Sequence, residues 1–254
     1  MSSAEHEVVH RALGNEEGKG LISAMRCQLR PLRRSFNIVT CGNKVKRLPK
    51  AQSVQEIVGF ALTERAIAVQ QVPSEITEFA KLVAERKART TLEIGTSRGG
   101  SLFILCRLAA PDGTIISVDM PGAGYGEAYT PAHARLFQIF PSKGQSLSLV
   151  KADSHHPGTR RRVEDLLNGK QVELLFIDGD HSYEGVKKDF EMYSPLVADG
   201  GMIAFHDIAV HTKFANCEVD RFWKEVKQNY RHREIIDDTK QGWAGIGILW
   251  KDPQ

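Results

Sequence analysis

Five ionisable residues stand out by type and spacing. "LLFIDGDHSY", 174–183, runs from apolar residues into Asp178, Asp180 and His181. "GGMIAFHD", 200–207, repeats the design and ends in His206 and Asp207. Burying an unpaired charge is costly, so strands that end this way present their acids at a rim, not in a core. Carboxylates that converge at a rim can hold a hard divalent cation, and a carboxylate or imidazole can take a proton from a hydroxyl group. Neighbouring strands stand ~5 Å apart, so Asp178, His206 and Asp207 can share one ion. Oxygen ligands favour Mg²⁺, and a histidine among them admits Mn²⁺. The plainer reading gives His206 a structural hydrogen bond and Asp180 the cap of the following helix.

The elements that must position these residues follow from the pattern. A helix starts at Ser53, where Glu56 completes a capping box. "EITEFAKLVAERK" carries Ile76, Phe79, Ala80 and Val83 at helical spacing. From about residue 90, six apolar runs ("TTLEIGT", "TIISVDM", "LSLVKAD", "VELLFIDGD", "GGMIAFHD" and "GIGILW") are interleaved with helical stretches. That alternation predicts an α/β fold with a mostly parallel sheet and helices on both faces. Ligands bind such sheets at the carboxyl ends of the strands, where Asp178 and Asp207 fall. Trp223 shares helical spacing with Phe222 and Val226 and reads as core.

"LEIGTSRGGS" follows the first strand and opens a helix. Gly95, Gly99 and Gly100 permit close backbone approach to a ligand at a helix N-terminus, or only a tight strand-to-helix connection. The next strand ends in Asp119, an acid placed to accept hydrogen bonds from ribose hydroxyls. The glycine spacing departs from the GxGxxG of dinucleotide sites. Glu93, just before Gly95, opposes a pyrophosphate and suits a ligand carrying an amino group and a sulfonium.

With "ISVDM", "KADSH", "LLFIDGDHSYEGVKKDF" and "LVADGGMIAFHD" added, the chain resembles the class I S-adenosylmethionine-dependent methyltransferases over roughly residues 70–250. More narrowly it resembles small-molecule O-methyltransferases, including metal-dependent ones acting on sugars and natural products. The resemblance implies a Rossmann-like, doubly wound, seven-stranded sheet whose last strand is antiparallel. It implies that Glu93, Gly95 and Gly99, with Ser97 in the same loop, hold the methionine end of S-adenosylmethionine. Asp119 would take the ribose and Asp153 would lie beside the adenine. Asp178 would serve both cofactor and metal, with His206 and Asp207 completing the metal set. Asp180 would be the general base, with His181 its rival. Many metal-dependent relatives place an acid or Asn where this chain has His206. "QQVPSEI", 70–76, would line the site, and "PGAGYGEAYTP", 121–131, reads as a flap or a surface loop.

The rest of the composition narrows the class. The 254 residues are 41% hydrophobic, enough for a full core, and their net charge of +3 says little about partners. Lys19–Lys50 holds nine Lys or Arg and no Asp or Glu: a solvated arm, or a surface for an anionic partner. Phe36 is its one aromatic residue, which speaks against nucleic acid, as does the lack of a "DPPY"-type tetrapeptide against base methylation. Residues 1–50 are read as a basic extension and 51–254 as the methyltransferase domain. Cys27, Cys41, Cys106 and Cys217 show no paired spacing, so neither disulfides nor a zinc site is expected. There is no apolar stretch of ~20 residues and no secretory layout. The expectation is a cytoplasmic enzyme with a small hydroxylated acceptor, its homo-oligomeric state open. The alternatives are a cofactor-binding protein without catalysis and a nucleic-acid methyltransferase using the basic arm.

Overall fold

The computed structural model describes residues 35–49, 51–120, 130–212 and 216–252. Within them, strands β1 (Thr90–Ile94), β2 (Thr114–Asp119), β3 (Ser146–Lys151), β4 (Val172–Ile177), β5 (Val197–His206), β6 (Arg231–Ile235) and β7 (Ile246–Trp250) form one sheet. Its order is β3-β2-β1-β4-β5-β7-β6. The first five strands run parallel. β7 is antiparallel to both its neighbours. The order reverses beside β1, so its carboxyl end marks the switch point of a doubly wound sheet.

Strand alternation sorts the core into two layers. On β4, Leu174 and Phe176 pack with helices α1 (35–47), α2 (Val54–Thr63), α3 (Pro73–Arg86), α4 (Gly100–Leu108) and α5 (Pro131–Phe137). Leu175 and Ile177 pack with α6 (Pro157–Leu167), α7 (Tyr183–Tyr193) and α8 (Val219–Val226). Trp223 is core, as its spacing indicates, and its Nε1 donates to Glu234 at 2.6 Å. The Ser53 capping box forms on both sides: Ser53 Oγ accepts from Glu56 N–H, and Glu56 Oε2 accepts from Ser53 N–H.

Three elements escape the pattern. β6 is "RHREI", exposed at its first four residues. As a polar edge strand it shows no apolar alternation, and its charges keep other strands from pairing with it. The second is α1, which lies inside the basic run. Ile38, Cys41 and Val45, at helical spacing, join the same core as α2, α3 and α4. Lys44 from the run pairs with Glu64 at 2.6 Å. The third, α5, is only seven residues long and begins at Pro131, behind a Thr130 cap. The expected flap falls almost wholly in 121–129, outside the described residues.

A buried carboxylate fastens the two ends of the fold. Glu75, in the first turn of α3, is fully buried. Its Oε1 accepts from Asp237 N–H at 3.0 Å and Gln241 Nε2 at 2.7 Å, and its Oε2 from Gly245 N–H at 2.9 Å. Glu75→Ala strands these donors in a dry site, so it should cost about 3 kcal/mol of stability. Denaturant unfolding of parent and variant checks this.

Candidate active site

The carboxyl ends of β1 to β5 open into one cleft of about 870 Å³. That is the size of small-molecule and cofactor sites. One wall is the glycine loop. Gly95 has φ +87°, and a Cβ there would stand 1.9 Å from the Asp178 carbonyl oxygen. Gly99 has φ +89°, and a Cβ there would stand 2.3 Å from the Phe137 ring. Both glycines are therefore required by contacts within the protein, as a tight strand-to-helix connection, the second of the two sequence readings, needs. Gly95 also lines the cleft.

Asp119 organises this loop. Its Oδ2 accepts the N–H of Thr96 at 2.8 Å and of Ser97 at 2.7 Å. Ser97, at φ +47°, belongs to the turn that aims two successive donors at one oxygen. Burial raises the Asp119 pKa, and these N–H groups hold it back. Glu93 is fully buried in β1, beneath the cleft lining. Its Oε2 accepts from Thr96 Oγ1 at 2.8 Å and Ser117 Oγ at 3.1 Å. Burial pushes its pKa up to about 7, against the pull of the Ser101, Thr96 and Ser117 hydroxyls. Asp153 lies exposed on the β3 side of the cleft, where its Oδ1 accepts His155 N–H at 2.8 Å.

The opposite wall holds the acid cluster. Asp178 Oδ1 lies 3.2 Å from His206 Nδ1 and 3.4 Å from His181 Nε2. Asp207 Oδ2 lies 3.4 Å from the same His181 nitrogen. Asp178, His181 and Asp207 thus converge as a possible ligand set. The reading from sequence gave the third place to His206. In the structure His206 is 5% exposed, and its Nδ1 sits between Asp178 Oδ1 and Asp207 Oδ1. Burial disfavours its cation, but Asp178 and Asp207 outweigh that and hold its pKa well above the usual imidazole value. The two carboxylates also raise the His181 pKa against its burial. Burial would raise the Asp178 and Asp207 pKa values, but His206 and His181, with His211 at Asp207, together outweigh it and hold both below the usual carboxylate range.

Asp180 stands apart, exposed at the cleft. Its Oδ1 accepts Ser182 N–H at 2.9 Å. Ser182, not Asp180, caps α7, accepting Gly185 N–H at 3.1 Å. Three residues went unassigned in the sequence, and a fourth, Gln71, lay in the segment expected to line the site. Gln71 lines the cleft at 6% exposure with both amide atoms unpartnered. Asp189 is fully buried on α7, 3.3 Å from His155 Nε2. His211 and Cys217 reach Asp207 from the chain after β5. Burial, then Asp207, pushes the Cys217 thiol up to about 12. The 70–76 segment contained a signal for Gln71; for the others only the fold makes neighbours of distant residues.

Residues 92–208 match the family model of the methyltransferase domain. The matched segment begins in β1 and ends just past β5, so it spans both the glycine loop and the acid cluster. What this segment resembles is thus a methyltransferase domain, over a little less than half of the chain. The uncharacterized protein R132 of Acanthamoeba polyphaga mimivirus is 32% identical over 123 residues, 48% of this chain and 53% of that one. Tapetum-specific methyltransferase 1 of Arabidopsis thaliana is 29% identical over 124 residues, 49% of this chain and 48% of that one. The chain thus spans about half the length of these curated relatives. An O-methyltransferase from Bacillus cereus, solved in complex with SAH, superposes with a TM-score of 0.55. That likeness, at 17% identity over 80% of this chain and 93% of the other, is one of fold. Among the described residues no helix is long and apolar enough to cross a membrane.

The charge cluster has a pH signature in metal-free protein. The raised His206 pKa gives stability that is full below its unfolded value of ~6.5 and lost as pH rises through its folded value. The lowered Asp207 pKa gives stability that is full above ~3.9 and lost as pH falls below it. Both are complete between about pH 4 and 6.5. With chelator present, the melting-temperature gap between parent and His206→Gln should be widest in that window and narrow above it.

Proposed function

We propose that the chain is an S-adenosylmethionine-dependent O-methyltransferase acting on a hydroxyl group of a small molecule, such as a glycoside or another natural product, with a divalent cation as helper. The observation that carries this reading is the pairing of two walls in one cleft. On one, Asp119 gathers the Thr96 and Ser97 N–H groups; on the other, Asp178, His181 and Asp207 converge.

The residues present suit both groups. Asp119, Asp153 and the glycine loop would receive the nucleoside and methionine parts of S-adenosylmethionine, which supplies its methyl group on a sulfonium. The dry Gln71 amide offers a donor and an acceptor to a polar ligand. Asp178, Asp207 and His181 would hold Mg²⁺ or Mn²⁺, and the imidazole in the set favours the second. Such a cation lowers the pKa of a hydroxyl that it binds. Asp180, exposed beside this cluster, takes the proton from the acceptor hydroxyl. His206, between the two carboxylates, fixes their spacing.

Three measurements test the reading. Asp119→Ala should weaken S-adenosylmethionine binding by ~1–3 kcal/mol in calorimetry, and unchanged affinity would remove Asp119 from the cofactor site. Chelation should abolish methyl transfer to a panel of phenols and glycosides while cofactor binding persists, with Mn²⁺ or Mg²⁺ restoring turnover. Asp180→Asn should slow transfer by roughly 10²–10⁴, the usual share of a general base. A full rate in that variant makes His181 the base to examine.

A further inference from the structure

Asp207 faces two ways. Its Oδ2 lies toward His181 at 3.4 Å, and its Oδ1 lies 3.0 Å from His211 Nε2. Around Oδ1 a second group assembles: Asp207, His211 and Cys217 offer an oxygen, a nitrogen and a sulfur, all within 4.8 Å of one another. Backbone bonds independent of any ion place the segments that carry them. Ala209 N–H donates to Ala244 O at 2.8 Å and Thr212 N–H to Gly242 O at 3.1 Å, on either side of His211. Glu218 N–H donates to His181 O at 2.8 Å, beside Cys217. Asp207 itself sits at φ +63°, a left-handed turn at the end of β5.

The contacts of His211 Nε2 suit a cation. Ala244 N–H approaches this nitrogen at 3.2 Å, while Asp207 Oδ1 stands 3.0 Å away. One ring nitrogen cannot accept from the first and donate to the second. With a proton on it the nitrogen donates to Asp207; with its lone pair outward it accepts from Ala244, and a cation beside both then relieves the facing lone pairs. Ligand atoms about 2.0–2.2 Å from a common ion stand roughly 3.0–3.5 Å apart, which fits the His211–Asp207 separation. Sulfur and imidazole together select thiophilic metals of the zinc type over Mg²⁺.

We propose that Asp207 is a bridging carboxylate whose Oδ1, with His211 Nε2 and Cys217 Sγ, forms a separate site for a thiophilic divalent cation such as Zn²⁺. Binding forms bonds from the cation to sulfur, nitrogen and oxygen, and the thiol proton leaves to solvent. Three protein ligands leave one tetrahedral position. All three residues line the cleft, so that position is open to water or to an oxygen of a bound molecule. The spacing of the four cysteines gave no hint of this, because only one of them takes part. The inference does not rest on methyl transfer.

Cobalt(II) is the probe, because a thiolate bound to it gives a charge-transfer band in the near ultraviolet. Titrating the chelator-treated full chain with Co²⁺ should develop this band at one equivalent, and Zn²⁺ should bleach it while excess Mg²⁺ does not. Cys217→Ser should lose the band, and His211→Ala should weaken Co²⁺ binding at least about tenfold. Circular dichroism of each variant confirms that it is folded. No band in the parent, or an undiminished band in folded Cys217→Ser, overturns the proposal. Calorimetry with S-adenosylmethionine on the same samples keeps the two readings apart, since cofactor binding can fail while the cobalt band stands.

Discussion

The cleft depends on one close approach between backbones. Where β1 ends, Gly95 passes so near the Asp178 carbonyl that no side chain fits between them. Asp178 N–H reaches back to the Ile94 carbonyl at 2.8 Å, so the two strand ends stay paired one residue past the sheet. This narrow junction puts the loop gathered by Asp119 and the loop bearing the acids on facing walls. A wider gap would leave two unrelated loops on a sheet edge. The same turn leads to Gly99, whose bare backbone lies against Phe137, so α5 braces the loop from behind.

The acid cluster has its own internal balance. Three carboxylates reach this rim in sequence, yet they differ in environment. Asp178 and Asp207 are tied to imidazoles and stay ionised in a partly dry site, whereas Asp180 is exposed and accepts the Ser182 N–H. His206, set between the two inner acids and with its pKa raised by them, keeps them close despite their repulsion. His181, on the more open side, meets both acids and lines the cleft. Position along the rim thus separates groups fit to hold an ion from a group fit to carry a proton.

Much of the fold was legible because its signals are local. The capping box at Ser53 and Glu56, the apolar strand bodies and the acids at the ends of β4 and β5 are all read from neighbouring residues. β6 was not, because an exposed edge strand needs no apolar pattern. α1 was hidden because its three core residues, Ile38, Cys41 and Val45, are spread through a run of positive charge. In the site, strand ends were predictable but side-chain directions were not. His206 and Asp207 are adjacent in sequence, and the left-handed turn at Asp207 sets how the two are presented. His181 and Gln71 take their places through loop geometry that no spacing rule encodes.

The Glu75 anchor bears on how the molecule is made. The carboxylate and the Gly245 N–H that it holds are 170 positions apart. On a ribosome, the first helices and the parallel strands emerge and can begin to pack well before β7 exists. Contacts so distant in sequence form late, because the intervening chain must first be ordered. Until then Glu75 is a charge without its partners, facing the gap that the C-terminal hairpin will fill. The wall of the cleft that carries Trp243 is therefore among the last parts to close. A nascent chain that stops short of β7 would own every acid of the rim and still lack a finished pocket.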